Sequence, residues 1–502
     1  MHVRPFPAQL LAAFALIVAT GLVGSAQRGR GEPQPAVRPH SNDVNTTAAR
    51  LPLAAADQKY VALDGARMKQ SVNDIAAISR KSRDEGVKYW GRIAGTKADK
   101  EMEEYAARRF REIGLQDVHL QPFNLPPQWF ALDWDVSASG GGQTLALKTA
   151  FPSGRSAATP PAGIDLEVVW VGAGTELDYA GRDVKGKAVL ITSFPTPSAN
   201  IHTASQNGAM ERAAQKGAAA TLLNIYLPGN VINEAGGAPG LPSFAIGNDD
   251  TAQLRRMMEK GPTKVHVKLS TEMRANLTDS NVWGTLPGAT DEEIVIFAHH
   301  DGYFEAAFDN ATGSATMLGL AEYFAKIPQA QRKRTLVFLG TTGHHDGTAE
   351  SGAWLLEHKE VFAKTALIIN CEHTAASLLI ASNGSVVRKA AVESPLGWYI
   401  GGSAALEKIV TGAYDTFGVS LMEQRSASAA GEIGRIQNLA PSMQLIDTGL
   451  YWHSDHETPD ISPASGLAAV TRAYAKVIAE IDAVPLKDLQ RPQPTTSSAS
   501  NR

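Results

Sequence analysis

From Asn276 onward, short and almost wholly apolar runs alternate with longer amphipathic ones. "EEIVIFA", "RTLVFLG", "TALIINC" and "SMQLID" have the length and composition of strands. "TGSATMLGLAEYFAK", "SAALEKIVTGAYDTFG" and "ASGLAAVTRAYAKVIAEI" have helical apolar spacing. A strand that is apolar on both faces needs cover on both. A mostly parallel sheet between helical layers supplies that cover. The expected class is therefore α/β. In such sheets ligands collect at the carboxyl ends of the strands.

The remaining chain frames this unit. Of 502 residues, 43% are hydrophobic and 20% charged, as in ordinary globular proteins. A net charge of -4 offers no basic face for nucleic acid. Arg4, an apolar run from Leu10 to Val23 and the small residues Gly24, Ser25 and Ala26 form a signal-peptide pattern over residues 1–26. The protein is expected in the periplasm or secreted, without stable membrane insertion. Cys371 is the single cysteine, so no intrachain disulfide forms. Residues 27–58 read as a flexible linker and 486–502 as a disordered tail. Residues 59–160 carry two helices, at 66–83 and about Lys97–Ile113, followed by the strand "DVHLQPF". Residues 165–270 form a β-rich block without clustered His, Asp or Glu, expected to rim a site rather than ligate in it. Residues 275–485 complete the main unit.

Eight of the thirteen histidines lie between His299 and His456. "IFAHHDG" follows the first strand, "TTGHHDG" the second, "INCEHT" the third and "YWHSDHET" the last, with "FDNATG" opening a helix. A polar loop explains any one of these groups. Four of them at consecutive strand ends fit a zinc site better, because imidazoles and carboxylates converge there. His299 with Asp301 two residues on supplies a ligand and an orienting carboxylate.

With "AHHD", "FDNATG", "GHHDG", "INCE" and "HSDHET" in this order, the chain resembles the di-zinc exopeptidase family of bacterial leucine aminopeptidases, aminopeptidase Y and glutamate carboxypeptidase. "GRIAGTKADKEMEEYAARRFREIGLQDVHLQPF" resembles that family's opening segment. "VKGKAVLITSF" through "LPSFAIGNDDTAQLRRMM" resembles the protease-associated domain inserted in many members. The likeness covers about residues 66–484. It implies a three-layer α/β sandwich, the zinc exopeptidase fold, and two zinc ions per chain. It also implies a peptide substrate cleaved by a metal-activated water. His299, Asp309 as the bridge, Glu372 in a place usually held by Asp, and His453 would be ligands, with Asp301 orienting His299.

The chain departs from the family again, and in charge, at the second strand end. His344–His345 stand where the family has Glu-Glu, a general base followed by a ligand. His345 remains a ligand, since imidazole suits zinc, and His344 becomes the candidate base. Asp346 and Glu350 are substitutes for that role, and Tyr303, Trp354, Arg425 and Tyr451 are candidate pocket residues. The expected activity is an exported zinc aminopeptidase. The alternatives are a related amide or ester hydrolase and a metal-binding homologue without turnover. Export should be accompanied by cleavage near Ala26, and mass spectrometry of the exported protein checks it. A membrane-embedded product that keeps residues 1–26 would refute it.

Overall fold

A computed structural model describes residues 52–490, apart from 196–201, 239, 346–354, 356, 383–385 and 448. The signal-peptide pattern, Asp346, Glu350 and Trp354 lie outside the described residues, as does most of the expected linker and tail.

Seven strands build the main sheet: β1 Gln116–Asn124, β2 Thr278–Leu286, β3 Glu293–His299, β4 Thr335–Thr341, β5 Thr365–Cys371, β6 Gly397–Gly401 and β7 Ser442–Ile446. Their order is β6-β7-β5-β3-β4-β2-β1. The four apolar runs singled out in the sequence, β3, β4, β5 and β7, pair in parallel at its centre. β6, β2 and β1 add antiparallel edges.

Alternation along the strands covers both faces. Ile294, Ile296, Leu336, Phe338, Leu367 and Ile369 enter one core. That core also takes residues of the helices α1 Gly65–Asp84, α2 Lys97–Ile113, α3 Gly313–Ala325, α4 Ala404–Phe417 and α5 Ala464–Ile481. Val295, Phe297, Val337, Leu339 and Ile368 enter a second core with Phe362, Ile433 and Ile436. The ends of α2 are set locally. The Thr96 hydroxyl accepts from Asp99 N, and Gly114 closes the helix at φ 93°.

The inserted block forms an eight-stranded sheet of its own. It starts earlier than the sequence indicates. Gln128–Gly140 pairs with Lys264–Arg274 along nearly its whole length. Sequence carries each strand's alternation but not its partner, so 128–140 reads as part of the first segment until pairing assigns it elsewhere.

No helix among the described residues is long and apolar enough to cross a membrane.

The turn before α3 packs closely against the end of β5. Asn310 Nδ2 donates to Cys371 O at 2.9 Å, and its Oδ1 accepts from Gly313 N and His373 N. A Cβ on Gly313 would lie 2.1 Å from Cys371 O and 2.2 Å from Asn310 Oδ1. Gly313→Ala should therefore destabilise the fold by about 1–3 kcal/mol through overpacking, read from urea unfolding.

Candidate metal centre

The carboxyl ends of the four parallel strands meet in one buried cluster. His299 closes β3, His344 and His345 follow β4, Glu372 and His373 follow β5, and His453 follows β7 by a short loop. Asp309 comes from the turn Ala307–Thr312 that leads into α3, and its peptide to Asn310 is cis.

Asp309 is the centre of this arrangement. Its Oδ1 lies 2.9 Å from His373 Nε2, 3.1 Å from His299 Nε2 and 3.5 Å from His345 Nε2. Its Oδ2 lies 3.1 Å from His453 Nε2 and accepts from the Trp452 indole N–H. Glu372 Oε1 is 3.4 Å from His299 Nε2 and 3.7 Å from His373 Nε2. Asp309 Oδ1 and the Nε2 atoms of His299, His345 and His373 are buried without hydrogen bonds. Unpartnered buried groups of this kind are costly. A divalent cation among them removes the cost, and imidazole nitrogen with carboxylate oxygen is the donor chemistry zinc takes. The residues present therefore fit the metal that the resemblance implies.

A surrounding shell holds the donors in place. Asp301 Oδ1 is 3.3 Å from His299 Nδ1, and Asp301 Oδ2 accepts from His345 N. Glu457 accepts from the backbone N–H groups of both Asp309 and His453. The buried Arg92 guanidinium donates to the carbonyls of His300, Glu305 and Ala306. It thereby clamps the loop between β3 and Asp309.

The electrostatics follow from this packing. Burial alone would raise Glu372, but His299 beside it pulls the carboxyl down to about 2. Asp309 and Asp301 are held below the usual carboxylate range against the same burial, Asp309 chiefly by His373 and His345 and Asp301 by its hydrogen bond to His299. Burial lowers His453, yet Asp309 and Glu234 outweigh it and raise the ring to about 10. His344 goes the other way. Burial and the neighbouring His299 push it down to about 3.

Most of the residues singled out in the sequence reach the cluster, and a few do not. His299, Asp309, His345, Glu372 and His453 converge, with Asp301 behind His299. His344 stacks on His299 at 4.3 Å, with Nε2 3.8 Å from Glu372 Oε1. Tyr303 touches the His345 and His453 rings. Tyr451 donates instead to Pro228 O, and Arg425 pairs with Glu407 at the surface. His456 pairs with Asp455 away from the cluster.

His373, Glu457 and Glu234 lie at the site without having been assigned a role in it from the sequence, as do Arg92 and Trp452. The signals for the first two were adjacency to Glu372 and the acidic residue four positions after His453. Glu234 had none. It lies in the inserted block, and its Oε2 is 3.4 Å from His453 Nδ1. Backbone bonds from Glu234 N to His453 O and from Asp455 N to Ile232 O join the two segments. The block contributes no donor to the cluster, but it braces one. A second acidic group, Asp99, Glu103 and Asp279, already has a cation. Lys100 Nζ lies 2.9 Å from both Glu103 and Asp279.

Comparison with known proteins agrees with this geometry. Residues 281–478 match the family model described as Peptidase family M28. Carboxypeptidase Q of Bos taurus is 26% identical over 296 residues, 56% of this chain and 61% of the relative. Aminopeptidase YwaD of Bacillus subtilis is 26% identical over 252 residues, 49% of this chain and 50% of the relative. The match thus spans less than two thirds of either relative. Among solved structures, a Peptidase M28 precursor from Shewanella amazonensis superposes with a TM-score of 0.65 at 20% identity, covering 86% of this chain and 99% of that one. The zinc aminopeptidase BSAP from Bacillus subtilis superposes at 0.61 with 18% identity, covering 85% and 98%. These likenesses establish the fold.

Bracing by Glu234 has a measurable consequence. Glu234→Gln should weaken retention of metal by roughly 10–100-fold, the usual effect of losing a ligand's orienting partner. Competition with a chromophoric chelator measures it, and unchanged affinity in a folded variant would make the contact a spacer. Residues 281–478, which hold every donor of the cluster, are similar to Peptidase family M28, and the chain has a zinc exopeptidase fold.

Proposed function

We propose that the protein is an exported, zinc-dependent exopeptidase, most specifically an aminopeptidase that removes N-terminal residues from peptides. The observation that carries this reading is Asp309 Oδ1, buried without a hydrogen bond and ringed by three imidazole nitrogens. Two zinc ions would be held here, one by His299, Asp309 and Glu372 and the other by His345, Asp309 and His453. When bound, such a pair supplies Lewis-acid polarisation of the scissile carbonyl and a nucleophile at neutral pH. Asp301 orients His299, and Glu457 fixes the backbone of Asp309 and His453. The inserted sheet, which resembles a protease-associated domain, braces the His453 loop and limits the peptides admitted.

His344 is the proposed base. A ring pushed down to about 3 stays neutral at neutral pH and keeps a lone pair for a proton. It is also the most exposed imidazole of the cluster, with 17% of its side chain open. So low a basicity is the observation that favours the second reading, a metal-binding homologue without turnover, because proton transfer is most efficient when the base titrates near the working pH.

Aminoacyl-nitroanilide hydrolysis with and without chelator, alongside metal analysis, separates the two readings. Turnover abolished by chelation is expected, and a metal-loaded protein without turnover is the contrary result. Variants test the roles. His345→Ala should lose part of the bound metal. His344→Ala should keep it and slow hydrolysis by roughly 10²–10⁴-fold, the usual contribution of a positioned base. His344→Glu should keep or raise activity. If His344→Ala strips metal and His345→Ala does not, the roles are reversed.

A further inference from the structure

His373 has no counterpart in the five-residue ligand set above. It is nonetheless held as a ligand is held. Its Nδ1–H donates to Asp447 O at 2.5 Å, which leaves Nε2 as the nitrogen that faces the cluster. Nε2 is 2.9 Å from Asp309 Oδ1 and 3.7 Å from Glu372 Oε1, yet it has no hydrogen bond of good geometry. A lone pair facing two carboxylate oxygens is repulsive unless positive charge sits between them. His299 Nε2 faces the same two oxygens, at 3.1 and 3.4 Å.

The ring is also locked. It is 1% exposed and packs edge-on against Phe308 at 5.7 Å and Trp452 at 5.5 Å. Its φ of 43° lies in the left-handed region, which non-glycine residues adopt infrequently. His373 N donates to Asn310 Oδ1, so the same amide that anchors the Asp309 turn anchors this residue. In this conformation the ring nitrogen Nε2 lies against the cluster.

We propose that His373 is a direct ligand of the metal position formed by His299, Asp309 and Glu372. That position then has four protein donors, two imidazoles and two carboxylates. The position formed by His345, Asp309 and His453 has three. The two metals are therefore unequal, and the four-donor position holds its ion more tightly. The donor balance also shifts toward imidazole, which favours zinc, copper, nickel and cobalt over the oxygen-seeking magnesium and manganese. This inference rests on reading the cluster as a metal centre, but not on peptide cleavage.

The full-length protein, stripped and reloaded with Zn²⁺, would be titrated against a chromophoric chelator. Two affinities are expected for the parent. His373→Ala should weaken the tighter one by more than the roughly 100-fold that loss of a mere orienting partner causes, leaving the weaker one in place. Added imidazole should restore the lost affinity, and the visible bands of the Co²⁺-loaded protein should shift in the variant and return on rescue. Should His373→Ala fail to fold, the histidine ¹⁵N spectrum of the Zn²⁺-loaded parent decides instead. It should show the His373 Nε2 shifted as a bound nitrogen and the Nδ1–H protected from exchange. Unchanged affinities and bands would overturn the proposal. So would a loss of affinity that imidazole fails to rescue, or a ¹⁵N spectrum with Nε2 unbound. Metal affinities that behave as expected in a protein that cleaves no peptide would refute the aminopeptidase reading and leave this inference standing.

Discussion

The structure turns on one carboxylate. Asp309 is buried, ionised and surrounded by four imidazoles. An isolated charge in such a place would be neutralised or expelled. Here it persists because positive charge, carried by protons or metal, is arranged around both of its oxygens. Everything nearby is shaped by that requirement. Asp301 and Glu372 face His299, Glu234 faces His453, and Glu457 takes up the backbone donors of the two loops that meet at Asp309.

Such a cluster needs a stiff frame, because its donors come from five separate stretches of chain. The parallel centre of the sheet provides it, with both faces packed and the strand ends level. Asn310 then ties the Asp309 turn to the end of β5, and Gly313 permits the close approach. Arg92, reaching in from outside the sheet, donates to three carbonyls of this loop. His373 and His453 both adopt left-handed backbone conformations, the strained geometry that concentrates where side chains must be aimed rather than merely packed.

The inserted sheet is more than a rim. It grips the loop carrying His453 through backbone bonds and through Glu234, so the geometry of one donor depends on the docking of a separate sheet. His344–His345 stand where the resemblance implies an acidic pair, which would change the charge balance of the site. Two carboxylates and four imidazoles make up the cluster, and burial lowers the His344 ring stacked on His299.

Much of this was legible in the sequence. Apolar runs at strand length placed β3, β4, β5 and β7 and implied cover on both faces. The position of each His, Asp and Glu group just after a strand brought His299, Asp309, His345, Glu372 and His453 into one locus. Local chemistry set those features, because the periodicity of a strand and the residue that follows it are both written within a few positions. The partner of Gln128–Gly140, the contact of Glu234 with His453, the surface pairing of Arg425 and the inward aim of His373 were not legible. Each depends on which distant segment arrives at hydrogen-bond distance, and a backbone turn of one residue decides whether a histidine beside a ligand faces the cluster or the solvent. Sequence alone determined the donors and the strand ends that carry them; only the tertiary structure decided which donors share a centre, because convergence is a property of the sheet register and loop conformation rather than of any local pattern.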